Sequence, residues 1–279
     1  MAGNLYTLRR QIVEVGRRVY QRNFVAANDG NISARIDRRR VLITPSGVSK
    51  GFMRPEDLIV VDYDGNIVEG RGKPSSETFM HLAIYRERED VNGVVHAHPP
   101  KATGFATAGI PLTQCVLPEV IVTLGGVPLA EYGTPGTEEL YEPVLKYLKD
   151  YDAFLLENHG ALAIGPDVMT AYYRMETLEH FAHIALVALQ LGRLQTLGRE
   201  HVAKLLALRE RFGIRTRAGC DECERERAGA CPVEAAQPPS GNGRTARPGR
   251  AAPAAGGDLV EAVTREVLRR LAGAGGERA

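Results

Sequence analysis

Val91-Asn92-Gly93-Val94-Val95-His96-Ala97-His98-Pro99-Pro100 reads as an apolar strand that two prolines stop. In a strand, residues two apart point to the same face about 6–7 Å apart, so His96 and His98 aim their imidazoles at one point. Two imidazoles converging at a strand terminus have the geometry of metal ligands, with coordination positions left open toward a cleft. A lone H-x-H is equally compatible with one packed and one solvated histidine, so the rest of the chain has to decide.

The chain has 279 residues, enough for one large or two ordinary domains, with 44% hydrophobic and 25% charged residues. A formal net charge of +1 gives no argument for nucleic acid or a membrane surface as partner. No apolar run approaches the roughly 20 residues of a spanning helix, and Met1 to Arg10 lacks a signal-peptide core, so a cytoplasmic location is expected. Of the four cysteines, Cys115 stands apart while Cys220, Cys223 and Cys231 cluster. That spacing is unlike a disulfide framework.

Leu5 to Arg22 carries Leu5, Leu8, Ile12, Val15 and Val19 on one helical face. The turn at Asn28-Asp29-Gly30 runs into a short strand containing Asn31 and Ser33. Arg40 to Thr44 is a strand that breaks into Pro45-Ser46-Gly47, a loop whose backbone N–H groups and hydroxyl suit an anion. Pro74-Ser75-Ser76-Glu77 opens a helix from Thr78, and a helix N-terminus with two serines can either cap itself or hold an anion. His81, one turn later, reads as a packed helix residue rather than a ligand.

Glu119 to Gly126 reads as a strand and turn, and a helix is expected from about Thr137 to Lys149. Asp152 to Gly165 forms two apolar strands around Glu157-Asn158-His159-Gly160, which brings a third histidine to a strand end. Asp167 then caps a long helix, Val168 to Leu191, and Glu200 to Phe212 is the last helix of the body. His180 and His183 read as ordinary helix residues.

Composition changes near residue 215. The body, 1–215, is followed by a cysteine-containing segment, 216–234, and by 235–257, which is too poor in apolar residues to offset its ordering entropy and reads as a flexible linker. Residues 258–272 return to helix grammar, with Asp258 as N-cap, Glu261 in the capping-box position and Val260, Val263, Val267, Leu268 and Leu271 in one stripe.

Five stretches taken in order, Gly30 to Ser33, Leu42 to Gly47, Pro74 to Glu77, Val94 to Pro99 and Glu157 to Gly160, resemble the class II aldolase/adducin family, closest to its fuculose-1-phosphate aldolase branch. The resemblance implies one α/β domain of three layers, with a central, mainly antiparallel sheet flanked by helices. It also implies a homotetramer with active sites at subunit interfaces. His96, His98 and His159 match the zinc ligands, one zinc ion per subunit. Glu77 matches the catalytic acid/base, which also ligates the metal when substrate is absent. Asn31, Ser46, Gly47, Ser75 and Ser76 match the pocket for the substrate phosphate.

The implied reaction is reversible cleavage of a ketose 1-phosphate to dihydroxyacetone phosphate and an aldehyde, lactaldehyde for a 6-deoxyhexulose. Cys115 and Phe212 stand where the fuculose enzymes place tyrosines, which leaves the group that protonates the aldehyde oxygen unassigned; Glu119 and Tyr132 are candidates by position. The family also holds a methylthioribulose-phosphate dehydratase and pentulose-phosphate 4-epimerases, which carry Asp where Glu77 stands, and non-catalytic adducin-like modules. Residues 258–272 resemble an encapsulation peptide for the shell proteins of a bacterial microcompartment, whose lumen would then be the location. Docking of that helix on its own oligomer is the competing reading. Cys220, Cys223 and Cys231 fall one thiolate short of a closed metal site.

Overall fold

The structure is a computed structural model that describes residues 5–214. An eight-stranded sheet has the order β4-β3-β2-β1-β5-β8-β7-β6, formed by β1 (Asn31–Arg35), β2 (Arg40–Ile43), β3 (Ile59–Asp62), β4 (Ile67–Glu69), β5 (Gly93–Ala97), β6 (Leu129–Ala130), β7 (Ala153–Leu156) and β8 (Gly160–Gly165). Every pairing is antiparallel except β6 with β7. The histidine strand β5 lies in the interior, between β1 and β8.

Helices cover both faces, which gives the three layers. Alternation along each strand sorts its side chains between two cores. On one face Ile32, Ala34, Val95, Ala97, Ala161 and Ala163 meet α1 (Leu5–Gln21), α3 (Pro100–Thr107), α4 (Pro118–Thr123) and α6 (Val168–Gln190). On the other, Val41, Ile43, Val94, Leu162 and Ile164 meet α2 (Thr78–Glu87) and α5 (Glu142–Tyr147). The α1 stripe of Ile12, Val15 and Val19 is fully buried. At about 1.5–3 kcal/mol per buried aliphatic side chain, that contact outweighs any helix propensity in the segment.

The long helix α6 starts where the sequence places it: Asp167 Oδ1 accepts from Thr170 N at 2.8 Å. A second cap links α6 to the site. Glu179, buried in the middle of α6, accepts from Ala102 N at 2.8 Å and from Lys101 N at 3.1 Å, so a carboxylate closes the N-terminus of α3 just past His98. His180 and His183 lie on the exposed side of α6. The last helix, α7 (Arg199–Arg211), packs with α4.

Two expected elements differ. The stretch 119–126 is not a strand: Pro118 sits in the first turn of α4, and Val120 and Ile121 bury the β-branched side chains that suggested extended backbone. The helix expected over 137–149 is interrupted, because Pro143 has no N–H to continue a ladder from upstream. A 3₁₀ turn, Glu138–Leu140, precedes a shorter α5 instead. Cys115 is buried. The tail features, Cys220, Cys223 and Cys231, the linker 235–257 and the helix 258–272, lie outside the described residues. No helix among the described residues is long and apolar enough to cross a membrane.

Candidate metal and acid-base site

The sheet register assembles the site. Asn31 pairs with His96 across β1 and β5, and His96 pairs with Leu162 across β5 and β8. Because Ile32 and Val95 enter the core on the α1 side, Asn31, Ser33 and His96 face α2. Glu77 occupies the N-cap position of α2 above them. His159 arrives from the turn between β7 and β8, where Asn158 takes a left-handed φ of 53° that Asn tolerates better than most residues.

The three rings converge. His96 Nε2 is 3.1 Å from His98 Nε2, and one nitrogen from each of His96, His98 and His159 lies within 4.8 Å of the other two. Glu77 Oε2 stands 3.2 Å from His96 Nε2 and its Oε1 3.3 Å from His159 Nε2. Ligand atoms held about 2.0–2.1 Å from a tetrahedral zinc are roughly 3.4 Å apart, so this spacing suits such an ion.

The donor chemistry fits as well. His96 Nδ1 donates to the carbonyl oxygen of Ala161 at 2.9 Å, which leaves the Nε2 lone pair for a cation. His98 Nδ1 is 3.6 Å from Asp29 Oδ2. Burial pushes the His96 imidazole down to about 3, against the pull of Glu77, and burial also lowers His98. Neutral imidazole is the form that binds a metal. His159 Nδ1 is buried with no hydrogen-bond partner among the described residues.

Glu77 is 8% exposed. Burial by itself would raise its carboxyl, but the histidine rings and the hydrogen bond from Asn31 Nδ2 at 3.1 Å hold it well below the usual carboxylate range. The site therefore presents an ionised carboxylate beside three converging imidazole rings.

The residues expected to grip an anion come together through the backbone. Pro45 and Pro74 form an antiparallel bridge, Ser46 N donates to Lys73 O at 2.8 Å and Ser75 N to Thr44 O at 3.3 Å. Ser46 and Gly47 thus lie beside Ser75 and Ser76, in a largely exposed lip leading to Glu77. Gly47 has a φ of 74°, which a side chain would strain. Ser75 Oγ accepts from Glu77 N at 3.3 Å, a local turn bond. The Asn31 side-chain amide bonds Glu77 and His81.

Lys50 ties the turn at Asn28 to the end of the Ser46–Gly47 loop. It is 2% exposed, and its Nζ donates to Asn28 O and Val48 O, each at 2.8 Å. Burial pushes it down to about 8. Among the positions considered for the aldehyde end, Glu119 is exposed, Tyr132 is 55% exposed and Phe212 is 69% exposed. Cys115 instead packs with Ile121 and Val202. His81 is fully buried and lies outside the group of three converging imidazoles. Sequence reasoning missed Asp29, Ser33 and Tyr85, although the spacings Asn31-x-Ser33 and Glu77-x₃-His81-x₃-Tyr85 carry a signal for two of them.

Residues 10–186 match the family model described as Class II Aldolase and Adducin N-terminal domain. An L-fuculose phosphate aldolase of Methanocaldococcus jannaschii is 33% identical over 181 residues, 65% of this chain and 97% of that protein. A 5-deoxy-D-ribulose 1-phosphate aldolase of Bacillus thuringiensis is 33% identical over 74% of this chain and 96% of its own length. A 3-oxo-tetronate 4-phosphate decarboxylase of Haemophilus influenzae is 33% identical over 62% and 84% respectively. Among solved structures, an L-fuculose 1-phosphate aldolase superposes with a TM-score of 0.68 at 32% identity, covering 74% of this chain and 96% of that one.

Proposed function

The chain belongs to the class II aldolase and adducin family, and from that premise we propose that it is a zinc-dependent aldolase that reversibly cleaves a ketose 1-phosphate to dihydroxyacetone phosphate and an aldehyde. The observation that carries this reading is the convergence of His96, His98 and His159 on the carboxylate of Glu77. The substrate is a short deoxyketose phosphate, fuculose 1-phosphate or a related sugar, in line with the aldolases it resembles.

His96, His98 and His159 would hold the zinc, with Glu77 as a further ligand in the absence of substrate. Zinc, when bound, supplies Lewis acidity toward the ketose carbonyl and the neighbouring hydroxyl. Ser46, Gly47, Ser75 and Ser76 would bind the phosphate through hydroxyls and backbone N–H groups, fixing the reacting carbons by contacts remote from them. Glu77, ionised and buried, would carry the proton between its carboxylate and the three-carbon enediolate left when the carbon–carbon bond breaks. Active sites completed at the interfaces of a homotetramer belong to the same reading.

A second reading has its own support. Loss of carbon dioxide from a 3-oxo-tetronate 4-phosphate would leave the same enediolate, so a decarboxylase relative shares the phosphate half of the chemistry and differs in the electrophile released. A dehydratase or a 4-epimerase would use the same fold and the same phosphate grip. Metal analysis with assays on fuculose 1-phosphate, 5-deoxyribulose 1-phosphate and 3-oxo-tetronate 4-phosphate separates aldolase from decarboxylase. The aldolase reading expects stoichiometric zinc and release of dihydroxyacetone phosphate with an aldehyde; zinc with no cleavage of any ketose 1-phosphate overturns it.

A further inference from the structure

A buried chain of polar side chains runs from Glu77 away from the metal site, between α2 and β1. Glu77, His81 and Tyr85 recur every four residues along one face of α2, about 6 Å per step. Asn31 and Ser33 alternate with them from β1, where two residues span about 6.7 Å. The two repeats nearly match, so the side chains interleave in the order Tyr85, Ser33, His81, Asn31, Glu77. Tyr85 Oη is 2.8 Å from Ser33 Oγ, Ser33 Oγ is 2.6 Å from His81 Nδ1, His81 Nε2 bonds Asn31 Oδ1, and Asn31 Nδ2 is 3.1 Å from Glu77 Oε2. Ser33 and His81 are completely buried, and Tyr85 is 1% exposed.

Chemistry at the Glu77 end sets every proton. An ionised carboxylate accepts only, so Asn31 must present its NH₂ there and its carbonyl oxygen to His81. His81 must then carry its proton on Nε2, which leaves Nδ1 to accept from the Ser33 hydroxyl. Ser33 in turn accepts from Tyr85. A flipped Asn31 would set its carbonyl oxygen against the carboxylate, lose that bond and reverse the donor in every other one. The chain orients and does not conduct, because an amide cannot pass a proton on while remaining an amide.

We infer that His81 is a positioning residue for Glu77: held by Ser33 and Tyr85 in its Nε2–H form, it fixes the Asn31 amide that pins one oxygen of the carboxylate beside His96. This rests on the acid-base role proposed for Glu77 but is testable apart from it. Long-range ¹H–¹⁵N correlation on histidine-labelled protein reads the His81 tautomer without substrate, with His81→Gln assigning the signal. The Nε2–H form is expected, and an Nδ1–H form or an imidazolium overturns the inference whether or not any ketose phosphate is cleaved.

Kinetics supply the second test. Gln can place an N–H donor where Nε2 stands, whereas Asn reaches only the Nδ1 position and Leu offers no donor. His81→Gln is expected to keep kcat within about threefold of the parent, while His81→Asn and His81→Leu lose about 10–100-fold in kcat with KM and metal content unchanged, the range typical of groups that orient a ligand or base. Equal kcat in all three variants, or metal loss in step with kcat, overturns the inference.

Discussion

His96 Nδ1 donates to the carbonyl oxygen of Ala161 at 2.9 Å, across the β5–β8 pairing and one residue beyond Gly160. That bond sets which ring nitrogen faces the site. Gly160 makes the close approach of β8 possible: a methyl group there would stand 2.6 Å from His98 Cδ2 and 2.7 Å from Ala97 O. Gly160→Ala is therefore expected to displace the His98 ring and weaken metal binding by about 10–100-fold. Metal titration of the apoprotein checks this; unchanged affinity would show that the ring moves aside freely.

Glu77→Gln keeps the shape of the side chain and removes its capacity to take a proton. It is expected to lower kcat by about 10²–10⁴-fold. Metal content should stay near that of the parent, because His96, His98 and His159 are untouched. A variant that loses metal and activity together would make Glu77 chiefly a ligand.

Lys50 gives a pH dependence whose sign follows from its burial. Its ammonium is pushed from 10.5 down to about 8 in the folded protein. Below about pH 8 both states carry the proton and burial costs its full amount; as pH rises toward 10.5 the folded lysine is neutral first and stability climbs, by roughly 3 kcal/mol in all. Lys50→Met should remove this rise while leaving the carbonyls of Asn28 and Val48 without their donor. Urea denaturation of both proteins from pH 7.5 to 10.5 measures the difference, and parallel curves would refute it.

Glu179→Ala removes the acceptor of the first N–H groups of α3. Those donors are partly or wholly buried, so a loss of about 1–3 kcal/mol is expected. Because α3 begins directly after His98, the same variant should bind metal more weakly than its stability loss alone implies. Thermal unfolding with and without added zinc tests both statements, and a stabilisation by zinc equal to that of the parent would sink the second.

Where sequence reading succeeded, the relevant geometry was short-range. The spacing of His96 and His98, the Asp167 cap and the stripe of α1 depend on residues two to four apart, whose relative directions the backbone dictates. It failed where a short segment satisfies two patterns. Val120 to Val122 carry the β-branched residues of a strand, and only Pro118 and burial against neighbouring elements make the segment helical.

The sequence by itself determined the family, the three imidazoles, the carboxylate and the strand-and-loop grammar that presents them. Tertiary structure alone decided that β1, β5 and β8 are neighbours, since strand pairing joins residues such as Asn31, His96 and Leu162 that no local periodicity relates. It also decided that the Asn31 amide bonds the carboxylate of Glu77, and that His81, packed in its helix, is a link of a buried polar chain. Hydrogen-bond direction is a property of partners in space, and those partners exist only once the sheet has closed around them.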